Sequence, residues 1–173
     1  MTETAQQYTQ RILGNAAGKD ALRVQRSAPG RLARLTKGLN AKELRKRPAP
    51  GKWSVTEILA HLADSELAVS WRLRSTLASD GIALQAYDQD VWASTFKYAK
   101  SNPKTSLDRF RALRESNLAL LKAVPKQLLE NYGMHAERGK ETVTHLTKMV
   151  AGHDLNHLRQ IEQIVKASGK RPR

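Results

Sequence analysis

Two of the five histidines in this 173-residue chain fall in the apolar stripe of its last predicted helix. With Val150 at zero and 100° per residue, His153 falls at about −60° and His157 at about −20°. The two imidazoles are therefore one turn apart, about 6 Å along the axis, on one face. Buried neutral imidazoles cost free energy unless their nitrogens are paired. A divalent transition metal would pair both rings, whereas hydrogen bonds to Asp, Ser or backbone groups are the alternative.

A third ligand has to come from another helix. His61 lies at the edge of the inner apolar stripe of the second predicted helix, a position that suits a groove between helices. Asp64 and Glu66 compete with it on the same face, and spacing alone does not select among the three. His145 lies about 12 Å along the helix axis from His153, too far to share a metal ion with His157. His135 lies in a predicted loop. We expect both to be structural or surface residues.

Four amphipathic segments without strand-like alternation predict an all-α four-helix bundle. The segments cover residues 4–38, 54–79, 105–124 and 141–167. Pro29 interrupts the first segment, because proline is tolerated only in the first turn of a helix. Residues 42–52 are predicted to be a loop. Long connections follow the second and third helices, and the first of them can cross the bundle.

The second helix carries the clearest boundary signals. Ser54 and Glu57 have the spacing of a capping box, Trp53 can pack as a hydrophobic staple onto Ile58, and Gly81 ends the helix. One apolar line faces inward, and a second lies opposite and contains Ala60, Leu67, Trp71 and Ala78. A helix that is apolar on two sides is central in a bundle or lies at a dimer interface. On the following connection, Tyr87, Trp92 and Tyr98 are expected to wall a pocket or to fill the core.

The composition describes a basic globular protein. Lys and Arg number 30 against 16 Asp and Glu, and the hydrophobic fraction of 40% excludes wholesale disorder. Residues 1–52 hold 12 basic and 3 acidic side chains. This excess is a solvated helical face or a surface that attracts nucleic acid. The candidate contacts are Arg23, Arg26, Arg31, Arg34, Lys37, Arg45, Lys46 and Arg47. No helix-turn-helix or zinc-finger pattern supports specific readout, so nucleic acid is not expected as a partner.

Further compositional features exclude other classes. With no cysteine, a disulfide scaffold, an iron–sulfur cluster and a cysteine nucleophile are excluded. No apolar stretch approaches the ~20 residues of a membrane span, and residues 1–7 lack the pattern of a secretory signal. We therefore expect a single cytoplasmic domain over residues 1–173, with its core at about 20–168.

Two stretches carry a resemblance that extends over nearly the whole chain. Residues 48–66, with the pattern W-S-x-x-E-x-x-x-H-L-x-D-x-E, and residues 151–161, with H-x-x-x-H, resemble the DinB-like (DinB/YfiT) family of metal-dependent enzymes. The resemblance implies a four-helix bundle with up-down-down-up connectivity, often a homodimer. It also implies a three-histidine site for a divalent metal, usually zinc or nickel, with iron or manganese as further candidates. By position, the ligands are His61, His153 and His157.

The resemblance supports a metal more strongly than a reaction, because one fold hosts many functions. Some family members resemble thiol-dependent transferases or isomerases that use bacillithiol, mycothiol or glutathione. A divalent ion on three neutral imidazoles lowers the pKa of a bound water to roughly 7 or binds a thiolate. Asp64, Glu66 and Asp154 are candidates to orient the imidazoles. The sequence thus predicts a metal-dependent thiol transferase or hydrolase acting on a small molecule; a non-catalytic metal-binding sensor or interaction bundle is the alternative.

Overall fold

The computed structural model describes residues 3–169. The α-helices are α1 (Ala5–Asn15), α2 (Ala21–Thr36), α3 (Ala41–Arg45), α4 (Val55–Ala78), α5 (Gln89–Thr95), α6 (Pro103–Ala123) and α7 (Val143–Ala167). The strands are β1 (Ile82–Leu84), β2 (Tyr132–His135) and β3 (Gly139–Thr142), and 3-10 turns span Tyr98–Lys100 and Lys126–Glu130. No helix of the described residues is long and apolar enough to cross a membrane.

Helices α2, α4, α6 and α7 form the four-helix bundle. Helices α4 and α6 run parallel, since Asp64 pairs with Arg109 while Glu66, further along α4, pairs with Arg114, further along α6. The side-chain amide of Gln25 on α2 donates to the carbonyl of residue 147 at the start of α7.

The directions of the other helix pairs complete the topology. Arg31 on α2 pairs with Glu162 on α7. Both residues lie further along their helices than Gln25 and residue 147, which also contact each other, so α2 and α7 are parallel. The C-terminal part of α4, at Leu73, packs instead on the first turns of α7, at Val143 and Leu146, so these two are antiparallel. The connectivity is therefore up-down-down-up, and the all-α bundle expected from the sequence is confirmed.

The main core lies between the four long helices. Its fully buried members include Leu32, Ile58, Leu62, Phe110, Leu158 and Ile161. The capping box at the start of α4 is also present, because the Glu57 N–H donates to Ser54 Oγ and the Ser54 N–H donates to Glu57 Oε2 at 2.8 Å. On the opposite side of α4, Ala60 is buried but Leu67 and Trp71 are 55% and 73% exposed. The second apolar line therefore only partly enters the bundle.

Pro29 lies inside α2, so the expectation that it could stand only in a first helical turn is wrong. Proline has no N–H to donate to the carbonyl four residues earlier, which here belongs to Gln25. The Arg114 guanidinium replaces the missing donor, with Nη1 at 3.1 Å from the Gln25 oxygen. The helix continues because a side chain from α6 pairs the carbonyl that proline leaves free.

Two further expectations are corrected by local structure. The short helix α3, at residues 41–45, overlaps the start of the predicted loop and begins with a capping box between Asn40 and Glu43. The connections also form a small sheet in which β2 lies between parallel β1 and antiparallel β3. Each strand has only three or four residues, too few to show alternation, and β1 pairs with a strand that is distant in sequence.

Replacing Gly152 with alanine is expected to destabilise the protein by about 1–3 kcal/mol. A Cβ there would lie 1.9 Å from the backbone oxygen of Ile12, so α1 has to move away from α7. This clash outweighs the ~1 kcal/mol that alanine gains over glycine inside a helix. Urea denaturation measures the change. Gly14→Ala is the matched control, because no atom lies within 4 Å of its added Cβ, and equal stability of the two variants would contradict the prediction.

Candidate metal centre

Three histidines converge where α4 meets α7. The Nε2 atom of His153 lies 3.0 Å from Nε2 of His61 and 3.1 Å from Nε2 of His157. One nitrogen from each ring lies within 4.8 Å of the other two. His61 and His157 are buried and His153 is partly buried. The structure therefore brings together the three side chains that the sequence suggested as metal ligands.

The nitrogen spacing fits a single transition-metal ion. Imidazole nitrogens bind zinc at about 2.0–2.1 Å, so two ligands lie about 2.9–3.4 Å apart for angles between 90° and tetrahedral. The two measured separations, 3.0 and 3.1 Å, fall inside that range. Three protein ligands also leave at least one coordination position for another molecule.

Hydrogen bonds among the three rings do not account for their close packing. Burial is the main cause that lowers the pKa of all three imidazoles, His157 to about 4 and the others well below their ordinary value. His157 Nδ1 lies 2.8 Å from the side-chain oxygen of Gln160, which can only accept, so Nδ1 carries the proton and Nε2 presents a lone pair. Neutral rings whose Nε2 atoms face one another cannot all pair by hydrogen bonds. A metal cation satisfies all three.

The three acidic candidates interact with arginines. Asp64 accepts from Arg109 at 2.6 Å, and Glu66 and Asp154 both accept from Arg114. Among residues 3–169, none of these carboxylates hydrogen-bonds an imidazole. Orientation of the rings by these candidates stays a prediction, and the side-chain contact seen at His157 is with Gln160.

Glu66, Arg114 and Asp154 form a buried ionic cluster behind the histidines. Arg114 is 1% exposed, and its guanidinium donates to both carboxylates at 2.5–3.0 Å. Asn117 adds a donor to Glu66 at 2.7 Å. Burial raises the pKa of Asp154 to about 6, although the positive charge of Arg114 opposes the rise. Burial disfavours the charged form of Arg114, but the two carboxylates outweigh it and raise the pKa of the guanidinium. Two carboxylates and one guanidinium carry one net negative charge. At His153 itself, burial is the main cause of the lowered pKa, and the positive charge of Arg114 contributes to it.

The aromatic residues have different roles. Trp53 packs against His61 with ring centroids 4.9 Å apart, so it borders the histidine cluster as well as the core. Tyr87 lines a cavity, its hydroxyl is 2.7 Å from Ser65 Oγ, and its ring stacks on Trp92 at 4.1 Å. Tyr98 is 2% exposed and belongs to the core.

Two cavities meet at the histidine cluster. The first, of about 680 Å³, is bordered by His61 and His153, and the second, of about 730 Å³, by His153 and His157. Tyr8 of α1 borders both. Each volume is in the range of small-molecule sites, and His153 borders both cavities.

Sequence reasoning missed four residues at this site. The only sequence indication for Gln160 was its i, i+3 spacing from His157. No local sequence pattern indicated Arg114, because its partners lie on three other helices. Trp53 was predicted only to pack on Ile58 as a hydrophobic staple. His135, expected in a loop, lies in β2, is 3% exposed and borders the first cavity. His145 is half-buried, 3.8 Å from Glu141.

Comparison with known proteins defines the class. Residues 26–161 match the model of the DinB superfamily, and the chain belongs to this family. A protein of Oceanobacillus iheyensis named "Putative metal-dependent hydrolase" is 27% identical over 133 residues, 76% of each chain. YfiT of Bacillus subtilis, with the same designation, is 23% identical over 150 residues, 86% of this chain and 84% of its own.

A solved structure shares the fold. The structure of YfiT from Bacillus subtilis, described as a probable metal-dependent hydrolase with an unusual four-helix bundle topology, matches with a TM-score of 0.82 at 19% identity. The match covers 98% of this chain and 91% of that one. The family and the bundle topology predicted from the two sequence stretches are therefore confirmed.

The metal-free protein is expected to lose stability as the pH falls from about 6.5 to 4. In this window the unfolded chain protonates histidines with a pKa near 6.5, whereas burial holds His157 and His135 at about 4 in the folded state. The unfolded state then binds more protons, so the free energy of unfolding falls as the pH falls. Asp154, raised to about 6, takes up one proton in the folded state and offsets only part of this.

Urea denaturation of chelator-treated protein at pH 7, 5.5 and 4.5 measures the effect. The expected slope is at least about 1.4 kcal/mol per pH unit, the value for one net proton. His135→Gln is expected to reduce the slope. A free energy of unfolding that is flat or rises toward acid would contradict the assignment of neutral buried imidazoles.

Proposed function

We propose that this protein is a divalent-metal-dependent enzyme whose ion is bound by His61, His153 and His157. The observation that carries the proposal is the 3.0–3.1 Å packing of Nε2 atoms from rings that burial keeps neutral. A divalent ion there supplies a Lewis acid that activates a nucleophile or polarises an electrophile near neutral pH. Zinc or nickel is proposed first and iron or manganese next, since imidazole accepts all of them and availability decides.

The proposed reaction is transfer between a low-molecular-weight thiol and a second small molecule. Two adjoining cavities at the histidine cluster support a two-substrate reaction. The chain has no cysteine, so a thiol has to arrive as a cosubstrate. Asp64, Glu66 and Asp154 are all ion-paired, which leaves none of these three carboxylates free to activate water as a general base.

Hydrolysis is the second candidate, and the names of the relatives favour it. In a hydrolase, water replaces the thiol at the same centre, and one of the two cavities would admit only solvent. A non-catalytic metal-binding bundle is the remaining alternative.

Product analysis with one electrophile separates these candidates. The untagged chain, loaded with Zn²⁺, is incubated with p-nitrophenyl acetate, with and without glutathione, bacillithiol or mycothiol. We expect nitrophenolate release that requires both metal and thiol, together with a thioester identified by mass. Release of nitrophenolate without thiol, together with free acetate, would show that the protein is a hydrolase and would overturn the proposed transfer. No metal-dependent turnover of either kind would overturn the enzyme assignment. His157→Ala is expected to be inactive and His145→Ala active.

We also propose that the protein acts in the cytoplasm as a homodimer and does not bind nucleic acid. The exposed side chains of Leu67 and Trp71 on α4 support a contact between two copies. Sedimentation velocity of the wild-type chain tests the dimer, and a monomer at micromolar concentration would overturn it.

A further inference from the structure

His135 has a buried hydrogen-bond donor without a protein partner. The backbone N–H of Glu137 donates to its Nδ1 at 3.2 Å, so the proton of the neutral ring resides on Nε2. Among residues 3–169, Nε2 has no hydrogen-bond partner, and the residue is 3% exposed. A buried donor left unpaired costs about 1–3 kcal/mol. His135 also borders the first cavity, so an acceptor for this ring can approach from that side.

Two guanidinium groups border the same cavity beside His135. Burial, and secondarily the positive charges of Arg138 and Arg72, lower the pKa of the imidazole. Arg138 is held by two hydrogen bonds to buried Glu141, at 2.6 and 2.9 Å. Arg72 donates to the backbone oxygen of Gln85 at 2.6 Å, and forms no ion pair with any carboxylate in the described part of the chain.

Beside His135, one cationic side chain has no carboxylate partner among the described residues. Glu141 neutralises Arg138, so the cation of Arg72 remains uncompensated and is repelled by Arg138. The other carboxylates around the cavity have cationic partners: Glu3 pairs with Arg11, and Glu66 and Asp154 share Arg114 with one net negative charge left over. Glu137 is exposed and pairs with neither Arg72 nor Arg138 within residues 3–169. A monoanion matches this balance better than a dianion such as phosphate.

The small sheet is what places these groups. His135 ends β2 and is paired with Leu84 of β1 and with Gly139 of β3, so the turn that carries Arg138 folds back beside it. Arg72 comes from α4, the helix that also supplies His61 to the same cavity. We propose that Arg72, His135 and Arg138 form a carboxylate-binding subsite that holds the substrate while its reactive part lies at the histidine cluster. That the reactive part lies at the histidine cluster rests on the proposed function.

Binding of simple probes to the full chain tests the subsite. Hexanoate, its neutral analogue hexanamide and inorganic phosphate are titrated by NMR into the protein with and without Zn²⁺, following the His135 ring and the Arg72 side chain. We expect hexanoate to bind at least about tenfold more tightly than hexanamide and to shift both sets of signals, also without metal. Arg72→Met is expected to lose about tenfold in affinity, and Arg72→Lys less.

Arg26→Met is the matched control, because Arg26 is exposed on α2 and borders neither cavity. His135→Gln, which keeps a donor, is expected to retain part of the affinity, and its amide spectrum shows whether the fold persists. Equal binding of hexanoate and hexanamide, tighter binding of phosphate, unchanged His135 signals, or equal effects of Arg72→Met and Arg26→Met would each overturn the subsite. Because the metal-free titration does not depend on the ion, failure to bind metal overturns only the proposed function.

Discussion

Untagged His153→Ala protein is expected to retain almost no divalent metal, whereas the wild-type chain holds about one ion. His153 is the central residue of the cluster, since its Nε2 lies 3.0 Å from that of His61 and 3.1 Å from that of His157. Its removal leaves two nitrogens on different helices without the ring between them. Elemental analysis after gel filtration measures the stoichiometry, and we expect affinity to fall at least about 100-fold.

His145→Ala is the control for this experiment, because His145 lies on the same helix but outside the cluster. A chelator is expected to lower the melting temperature of the wild-type protein and of His145→Ala, but to have no effect on His153→Ala, since only bound metal contributes linkage stabilisation. Full metal content in His153→Ala would show that the ion binds elsewhere.

Arg114→Met is expected to lower the free energy of unfolding by about 3–5 kcal/mol. The change leaves two buried carboxylates, Glu66 and Asp154, without their cation, and it removes the donor to the Gln25 oxygen that Pro29 leaves free. Three bundle helices thereby lose one polar contact with α6 each. Urea denaturation measures the loss, with the slope of the transition showing whether unfolding stays cooperative.

Two comparisons identify the cause. Arg109→Met removes the partner of Asp64 at a half-exposed site and is expected to cost about 1 kcal/mol or less. Adding Glu66→Gln and Asp154→Asn to Arg114→Met is expected to recover part of the stability, because the uncompensated charges are then gone. Equal losses in Arg114→Met and Arg109→Met would contradict a buried-charge mechanism.

Periodicity identified part of the candidate site directly. The apolar stripe of α7 put His153 and His157 on one buried face, because side-chain direction in a helix depends only on position along it. The same reasoning left His61 undecided against Asp64 and Glu66. The family resemblance selected His61, and the structure shows why the acidic residues differ: arginines on α6 pair with both.

The sequence by itself determined the helices of the bundle, the start of α4 and the inward face of α7, since capping and amphipathic spacing are local properties. Tertiary structure alone decided that Arg114 completes the helix containing Pro29, that a short sheet forms in the connections, and that His135 lies beside Arg138 and Arg72. These depend on which residues meet across helices and strands distant in sequence. Local spacing specifies the face a side chain occupies, whereas packing specifies the partner it meets.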